Sequence, residues 1–310
     1  MANLKPLIVI LGPTASGKTG LALALAEEFD AELVNADSRQ IYRGMDIATN
    51  KISRQDTEKK MTDGETIYLV GGIPIHLLDI IDPDDNFSLA QYKQTALEII
   101  RKIHDKGKLP ILVGGTGLYI SAVVDNLEIP QAPADDDLRR TLEKKNTEEL
   151  FNALGKIDPD AADSIGARNK RKLIRALEVY KVTGRPFSSQ KKKGQPLFDI
   201  LELGINTERD ALYARIDERV DEMVVSGLLE ETRKLLARYS PNLPAMSGIG
   251  YREIAAHLEK GTPLEEAIQQ IKYHTHQYAR RQLTWFKRDS RIKWVENYQE
   301  AELIIEKMIK

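Results

Sequence analysis

The sequence predicts an α/β fold: a P-loop NTPase-like parallel sheet with a helical insertion and a helical C-terminal part. Three observations predict it. Short apolar, β-branched runs alternate with stretches of helical spacing, as in a parallel sheet covered on both faces. The first run leads straight into a glycine loop and a helix. Between residues 129 and 196 the composition turns strongly charged and helical, then returns to a strand pattern.

Residues 6–11 (PLIVIL) read as a buried strand. A helix follows from Gly17, with Leu21, Leu25 and Phe29 on one side. Residues 31–36 form a second strand that ends at Asp37-Ser38. The polar stretch 51–66 reads as a mobile loop. Residues 89–106 form a helix with Leu97, Ile100 and Ile103 on its apolar side, stopped by Gly107. LPILVGGTG is a third buried strand running into glycines. Residues 135–163 carry nine acidic and five basic residues, and 166–195 carry ten basic against one acidic. Both read as helical, so 129–196 is assigned as an insertion domain and 1–128 with 197–310 as the catalytic core. FDILELGIN returns to the sheet, a long amphipathic helix spans about 209–238, another spans about 262–288, and RIKWV is a final short strand.

The net charge is −2 and there is no cysteine. Disulfides and thiolate metal sites are excluded, and any nucleic-acid surface must arise from local clustering. The N-terminal apolar run is too short for a signal segment, and no stretch approaches the ~20 apolar residues that cross a bilayer. A cytoplasmic monomer without a membrane partner is expected.

Gly12-Pro13-Thr14-Ala15-Ser16-Gly17-Lys18-Thr19 fits G-x-x-x-x-G-K-[ST] between a strand and a helix. Its glycines let backbone N–H groups face phosphate oxygens, Lys18 adds charge, and the Thr19 hydroxyl can ligate Mg²⁺. An NTPase usually also has an acid at the end of a second strand. Here the best candidate strand ends in Gly114-Gly115-Thr116, which argues against ATP hydrolysis. Asp37, at a strand's carboxyl end, can serve as a general base, a helix cap or a Mg²⁺ ligand through water.

Two basic sets stand out. Arg168, Lys170, Arg171, Lys172 and Arg175 lie in a stretch nearly free of acids, with Arg171 and Arg175 on one helix side. They read as RNA phosphate contacts. Arg280, Arg281, Lys287, Arg288, Arg291 and Lys293 form the second set, interleaved with Tyr278, Trp285 and Phe286. Trp285 and Phe286 read as core, whereas Tyr251 and Tyr278 are candidates for stacking on a base. His76, His257 and His274 lack metal-ligand spacing and read as structural.

GPTASGKT, DSRQIYRGMDI, VGGTGLY, RALEVYKVTGRP, GIGYRE and QYARRQLTWFKR, in this order, closely resemble the bacterial tRNA dimethylallyltransferases over nearly the whole chain. The resemblance implies transfer of a dimethylallyl group from its diphosphate to the exocyclic amine of the adenosine 3′ of the anticodon. It implies Mg²⁺ dependence without ATP, and the tRNA anticodon stem-loop and dimethylallyl diphosphate as partners. It implies Asp37 as the base, Thr116 beside the reacting groups, Lys18 on the diphosphate, and one of Arg215 and Arg219 with it. It further implies tRNA contacts from Asp37, Ser38, Arg39, Gln40, Thr116, Arg171, Lys172, Arg175, Gly250, Tyr251, Arg252, Arg280, Arg281 and Gln282. The chain departs from the family in having ATNKI after MDI, about ten extra residues before GGIPIHLLDIIDP, Ile75 for one of two histidines, and His276 for a common arginine. A prenyltransferase acting on free adenosine nucleotides would not need the basic clusters. A small-molecule kinase would need the second acid and a lid, and a non-catalytic RNA-binding module would not need Asp37 and Thr116.

Overall fold

The computed structural model describes residues 4–52, 57–62, 65–130, 132, 135–190 and 192–309. They form two compact units, Met1–Val123 with Leu197–Lys310, and Val124–Pro196. The first unit is built on one sheet of eight strands: β1 (Pro6–Leu11), β2 (Ala31–Asn35), β3 (Thr57–Thr62), β4 (Glu65–Val70), β5 (Ile73–His76), β6 (Leu109–Gly114), β7 (Asp199–Ile205) and β8 (Lys293–Val295). Their order is β3-β4-β5-β2-β6-β1-β7-β8. From β5 to β8 every pairing is parallel, while β3–β4 and β4–β5 are antiparallel. The sheet is therefore mixed rather than wholly parallel. The segment read as a loop over 51–66 supplies β3 and part of β4, with residues 53–56 and 63–64 outside the described residues. β3 is a polar edge strand bearing Lys59 and Lys60, charges that discourage edge-to-edge pairing.

The central strands are buried on both faces: all five residues of β2, and all but the first of β1 and β6. Ile8, Ile10, Leu33, Ile111 and Leu203 make the middle of that core. Register then fixes the site. Leu11 lies opposite Gly114, and Asn35 opposite Val113. The carboxyl ends of β1, β2 and β6 thus stop side by side, and their loops emerge together.

Three helices serve these strands directly: α1 (Lys18–Glu28), α2 (Leu89–Asp105) and α3 (Gly117–Val124). The Ser88–Gln91 capping box starts α2, and its fully buried Tyr92 donates to the Asn35 carbonyl at 3.0 Å.

The Val124–Pro196 unit contains α4 (Asp136–Glu143), α5 (Thr147–Gly155), α6 (Pro159–Ile165) and α7 (Lys170–Thr183). Each helix starts on an Asp or Asn cap: Asp135, Asn146, Asp158 and Asn169. Leu142, Leu150, Leu154, Leu173, Ile174 and Leu177 give the unit its own core. The sequence places the start of this insertion at 129 and ends its helices in the turn-rich run GRPFSSQKKKGQP. In the structure the unit begins earlier, at Val124, while α7 stops at the first residue of that run, Gly184, whose positive φ closes the helix.

The C-terminal part holds α8 (Arg209–Val225), α9 (Leu228–Leu236), α10 (Tyr251–Lys260), α11 (Leu264–Phe286) and α12 (Tyr298–Ile309). The single helix expected over 209–238 is two, because Gly227 at φ 98° breaks it. Met45, Val220, Leu228, Tyr251, Ile254 and Ile271 form a separate core here.

One buried ion cluster braces the amino end of β2. Glu32, 2 % exposed, meets His76 at 2.9 Å and Lys106 at 3.0 Å. Burial alone would raise its pKa, but hydrogen bonds from His76 and Lys106 outweigh it and hold the carboxyl at about 2. A carboxyl held below its unfolded value of about 4.3 contributes stability above that value and loses it as pH falls toward the folded one. Wild type should therefore be more stable than Glu32→Gln near neutral pH, and the gap should close between about pH 5 and pH 2. Thermal unfolding of both proteins across that range checks this, and a gap independent of pH would contradict it.

Candidate active site

The loop joining β1 to α1 is shaped to receive an anion. Gly17, at φ 88°, caps α1, and no side chain bonds the first-turn N–H groups. These groups carry the positive end of the helix dipole. Ala15 takes a left-handed φ of 62°, held by packing against Leu212, Ile216 and Ala279. A non-glycine residue in that region is strained and persists only where its surroundings enforce it. The Ser16 hydroxyl is buried without a protein partner. Lys18 folds over the loop, its Nζ donating to the Pro13 carbonyl at 2.5 Å. Burial lowers the Lys18 pKa to about 8; the charge of Asp37 opposes the shift and that of Arg219 adds to it.

The facing loops are joined to one another. Thr116 N–H donates to the Ala36 carbonyl at 3.1 Å, and the Thr116 hydroxyl accepts from Ser38 N–H at 3.0 Å. The Tyr278 side chain lies near that of Thr116. Asp37 Oδ1 accepts from Arg39 N–H at 2.8 Å, and Asn35 Oδ1 accepts from Asp37 N–H at 3.1 Å. Burial raises the hydroxyl pKa values of Tyr92, Tyr119 and Tyr278, and the charge of Asp37 raises each further. The three phenols therefore stay neutral, and the Tyr92 and Tyr119 rings stack at 3.7 Å. Glycine is required at position 114, where a Cβ would lie 2.3 Å from the Ala36 carbonyl oxygen.

One pocket collects these groups. Its polar wall is Lys18, Thr19, Asn35, Asp37, Gln40, Gly114 and Gly115, and its apolar wall is Leu33, Ile52, Ile75, Leu78 and Val113. Of the two candidate arginines, Arg219 is half-buried and close enough to act on Lys18, whereas Arg215 is exposed.

Several other candidates have different employment. Tyr251 is fully buried, and its hydroxyl donates to Glu231 at 2.6 Å, so its ring is core and offers no stacking face. Gly250 has φ 98° and lies where a Cβ would strike Ala48; it shapes a turn. Arg39 donates to the carbonyls of Pro244 at 2.7 Å and Ala245 at 3.1 Å, and Gln40 to those of Thr49 and Asn50. Arg175 is half-buried and spent on fully buried Glu178 at 2.6 Å, a carboxylate that Arg139 also holds. Arg171, Lys172, Arg252, Arg280 and Arg281 remain exposed. Trp285, read as core, is 46 % exposed, while Phe286 is core. His76, His257 and His274 bond Glu32, the Thr262 carbonyl and Glu253.

Gln282 is buried at 6 % exposure. Its Oε1 accepts from Thr14 N–H and its Nε2 donates to the Gly115 carbonyl, both at 2.8 Å. Its signal in the sequence was a polar side chain on the same helix face as Ala279 and Phe286, a face that is otherwise apolar. The approach of Tyr278 to Thr116 had no such signal.

An open helix terminus and a half-buried lysine, sharing a pocket with a carboxylate at the strand ends, define an α/β enzyme. Residues 40–289 match the family model described as IPP transferase. The chain is 42 % identical to the tRNA dimethylallyltransferase of Pelotomaculum thermopropionicum, over 98 % of this chain and 95 % of the relative. It is 46 % identical to that of Geobacter sulfurreducens, over 94 % and 91 %. Among solved structures it resembles the tRNA isopentenylpyrophosphate transferase of Bacillus halodurans, with TM-score 0.70, 38 % identity and coverage of 98 % and 95 %. A eukaryotic dimethylallyltransferase acting on tRNA matches with TM-score 0.77, 29 % identity and coverage of 94 % and 74 %. The chain belongs to the IPP transferase family.

Because Lys18 has a pKa of about 8 in the free protein, its ammonium is lost as pH rises through that value. Affinity for an alkyl diphosphate should fall over the same interval, and Lys18→Met should abolish that dependence. Calorimetric titration at a series of pH values checks this; a flat wild-type profile would contradict it.

Proposed function

We propose that this protein transfers a dimethylallyl group from dimethylallyl diphosphate to the exocyclic amine of the adenosine 3′ of the anticodon in tRNA, in the cytoplasm and without spending ATP. The observation that carries this reading is the single pocket in which Lys18 and Thr19 share a wall with Asp37 and face an apolar wall. The 12–19 segment acts as a P-loop: its N–H groups, the α1 terminus, Lys18 and Arg219 hold the diphosphate and take up charge as it leaves. The five-carbon group lies on the apolar wall. The adenine must leave its stack to reach this pocket, as in other base-modifying enzymes.

In the transfer the amine nitrogen forms a bond to the first prenyl carbon while that carbon's bond to the diphosphate oxygen breaks. The bonding electrons leave with the diphosphate, and the amine proton goes to the Asp37 carboxylate. Thr116, held by Ser38, positions the acceptor side. Among the described residues no cluster of three or more His, Asp or Glu side chains is placed to hold a metal. Thr19 with substrate oxygens and water fits Mg²⁺, which prefers such mixed coordination and would supply charge neutralisation to the diphosphate.

Exposed cations favour tRNA over a free nucleotide as acceptor. Arg168, Arg171 and Lys172 lie on the insertion unit, and Arg280, Arg281, Lys287 and Arg288 on and after α11. No helix among the described residues is long and apolar enough to cross a membrane.

Asp37→Asn keeps the shape but cannot accept a proton, so single-turnover transfer should fall roughly 10²–10⁴-fold, with diphosphate affinity held within a few-fold. An unchanged chemical step would remove Asp37 as the base. Replacing Arg171 and Lys172 by Ala should weaken tRNA binding and flatten its salt dependence by about one to two units of slope. An unchanged slope in filter-binding titrations would return them to solvated surface.

A further inference from the structure

The N–H groups of the 12–19 loop differ in availability. Those at the start of α1 have no side-chain cap. At the strand end of the loop, Thr14 N–H is already donated to Gln282 Oε1 at 2.8 Å. That oxygen is held in place, because the same amide donates from Nε2 to the Gly115 carbonyl at 2.8 Å and the side chain is buried. The bonding also fixes which end of the amide faces the loop. Were it turned over, an N–H would face Thr14 N–H and a carbonyl oxygen would face the Gly115 oxygen, two repulsive contacts.

Thr14 stands at the strand end of the loop, three residues before Gly17 at the α1 cap, so its N–H lies beyond the donors that an anion seated at the α1 terminus meets first. On the proposed reading of the site, the α1 N–H groups and Lys18 hold the two phosphates of a diphosphate. A third would need the Thr14 donor and would instead meet the Gln282 carbonyl oxygen, an acceptor facing an anion. We infer that Gln282 is a specificity residue that limits this loop to diphosphates, by occupying the donor a triphosphate would require. The inference rests on the loop being the diphosphate site. It supplies a reason, beyond the missing strand-end acid, for a protein with this loop to refuse nucleoside triphosphates.

Gln282 also stands on α11 between two residues that lie against the segment after β6. Tyr278, one turn earlier, lies near Thr116, and Trp285 packs where a Cβ on Gly117 would come within 2.6 Å of its ring. The amide itself is held at both ends by Thr14 and Gly115 and is buried.

The test measures dissociation constants of inorganic pyrophosphate and tripolyphosphate for wild type, Gln282→Met and Gln282→Glu by calorimetry at constant Mg²⁺. Met keeps the volume and removes the acceptor, freeing Thr14 N–H. Relative to pyrophosphate, tripolyphosphate should gain about tenfold or more, the usual worth of a hydrogen bond to a charged group. Glu keeps an acceptor and adds negative charge, so the ratio should move the opposite way. Both variants lose the bond to Gly115, so a merely structural role would weaken both anions alike and leave the ratio unchanged; that result overturns the inference. Should Gln282→Met fail to fold, the Glu variant decides alone. Binding of neither anion by wild type would overturn the diphosphate reading together with this one, whereas binding of both with an immovable ratio overturns only this one.

Discussion

The bond from Thr116 N–H to the Ala36 carbonyl is the interaction on which the rest of the site depends. It carries the loop after β6 across the end of β2 and brings the Thr116 hydroxyl onto Ser38, next to Asp37. It can form only because residue 114 lacks a Cβ, which would collide with that same carbonyl. The parallel register then sets the 12–19 loop beside it, since Leu11 and Gly114 are cross-strand partners. A phosphate-ready loop and a carboxylate thus share one pocket through backbone bonding, before any side-chain chemistry is considered.

Electrostatics follows from that placement. Lys18 and the Asp37 carboxylate share a partly desolvated pocket, and the charge of Arg219 acts on Lys18. The lysine ammonium is made less stable than in water, and an anionic ligand relieves that. The phenols that feel the Asp37 charge are driven in the other direction and remain neutral. From α11, Gln282 bonds both the 12–19 loop and the loop after β6, and the same helix carries exposed Arg280 and Arg281.

Features written in local chemistry could be read from the sequence. The run from β1 through the glycine loop into α1 needs only a buried apolar strand, Gly17 and Lys18, and the charged insertion announces itself by composition. Features that depend on distant partners could not. Arg171 and Arg175 look alike at helical spacing, yet Arg175 is committed to Glu178, which Arg139 from another helix also engages. Tyr251 looks like a stacking residue until Glu231, twenty positions away, takes its hydroxyl. β3 shows no apolar alternation because it is an exposed edge, so TEKKMT resembled a loop. The break at Gly227 was visible as a glycine, but a single glycine inside a helical pattern does not say whether the helix continues.

The central claim is that this pocket joins a prenyl diphosphate to a tRNA adenosine. Its most direct test is to incubate the purified protein with labelled dimethylallyl diphosphate, Mg²⁺ and unmodified tRNA in the absence of any nucleoside triphosphate, and then to digest the RNA to nucleosides. The account predicts label in an N6-prenylated adenosine from the position 3′ of the anticodon, with one diphosphate released per transfer. Label that appears only when ATP is added, or that enters free nucleotides and not tRNA, would contradict it.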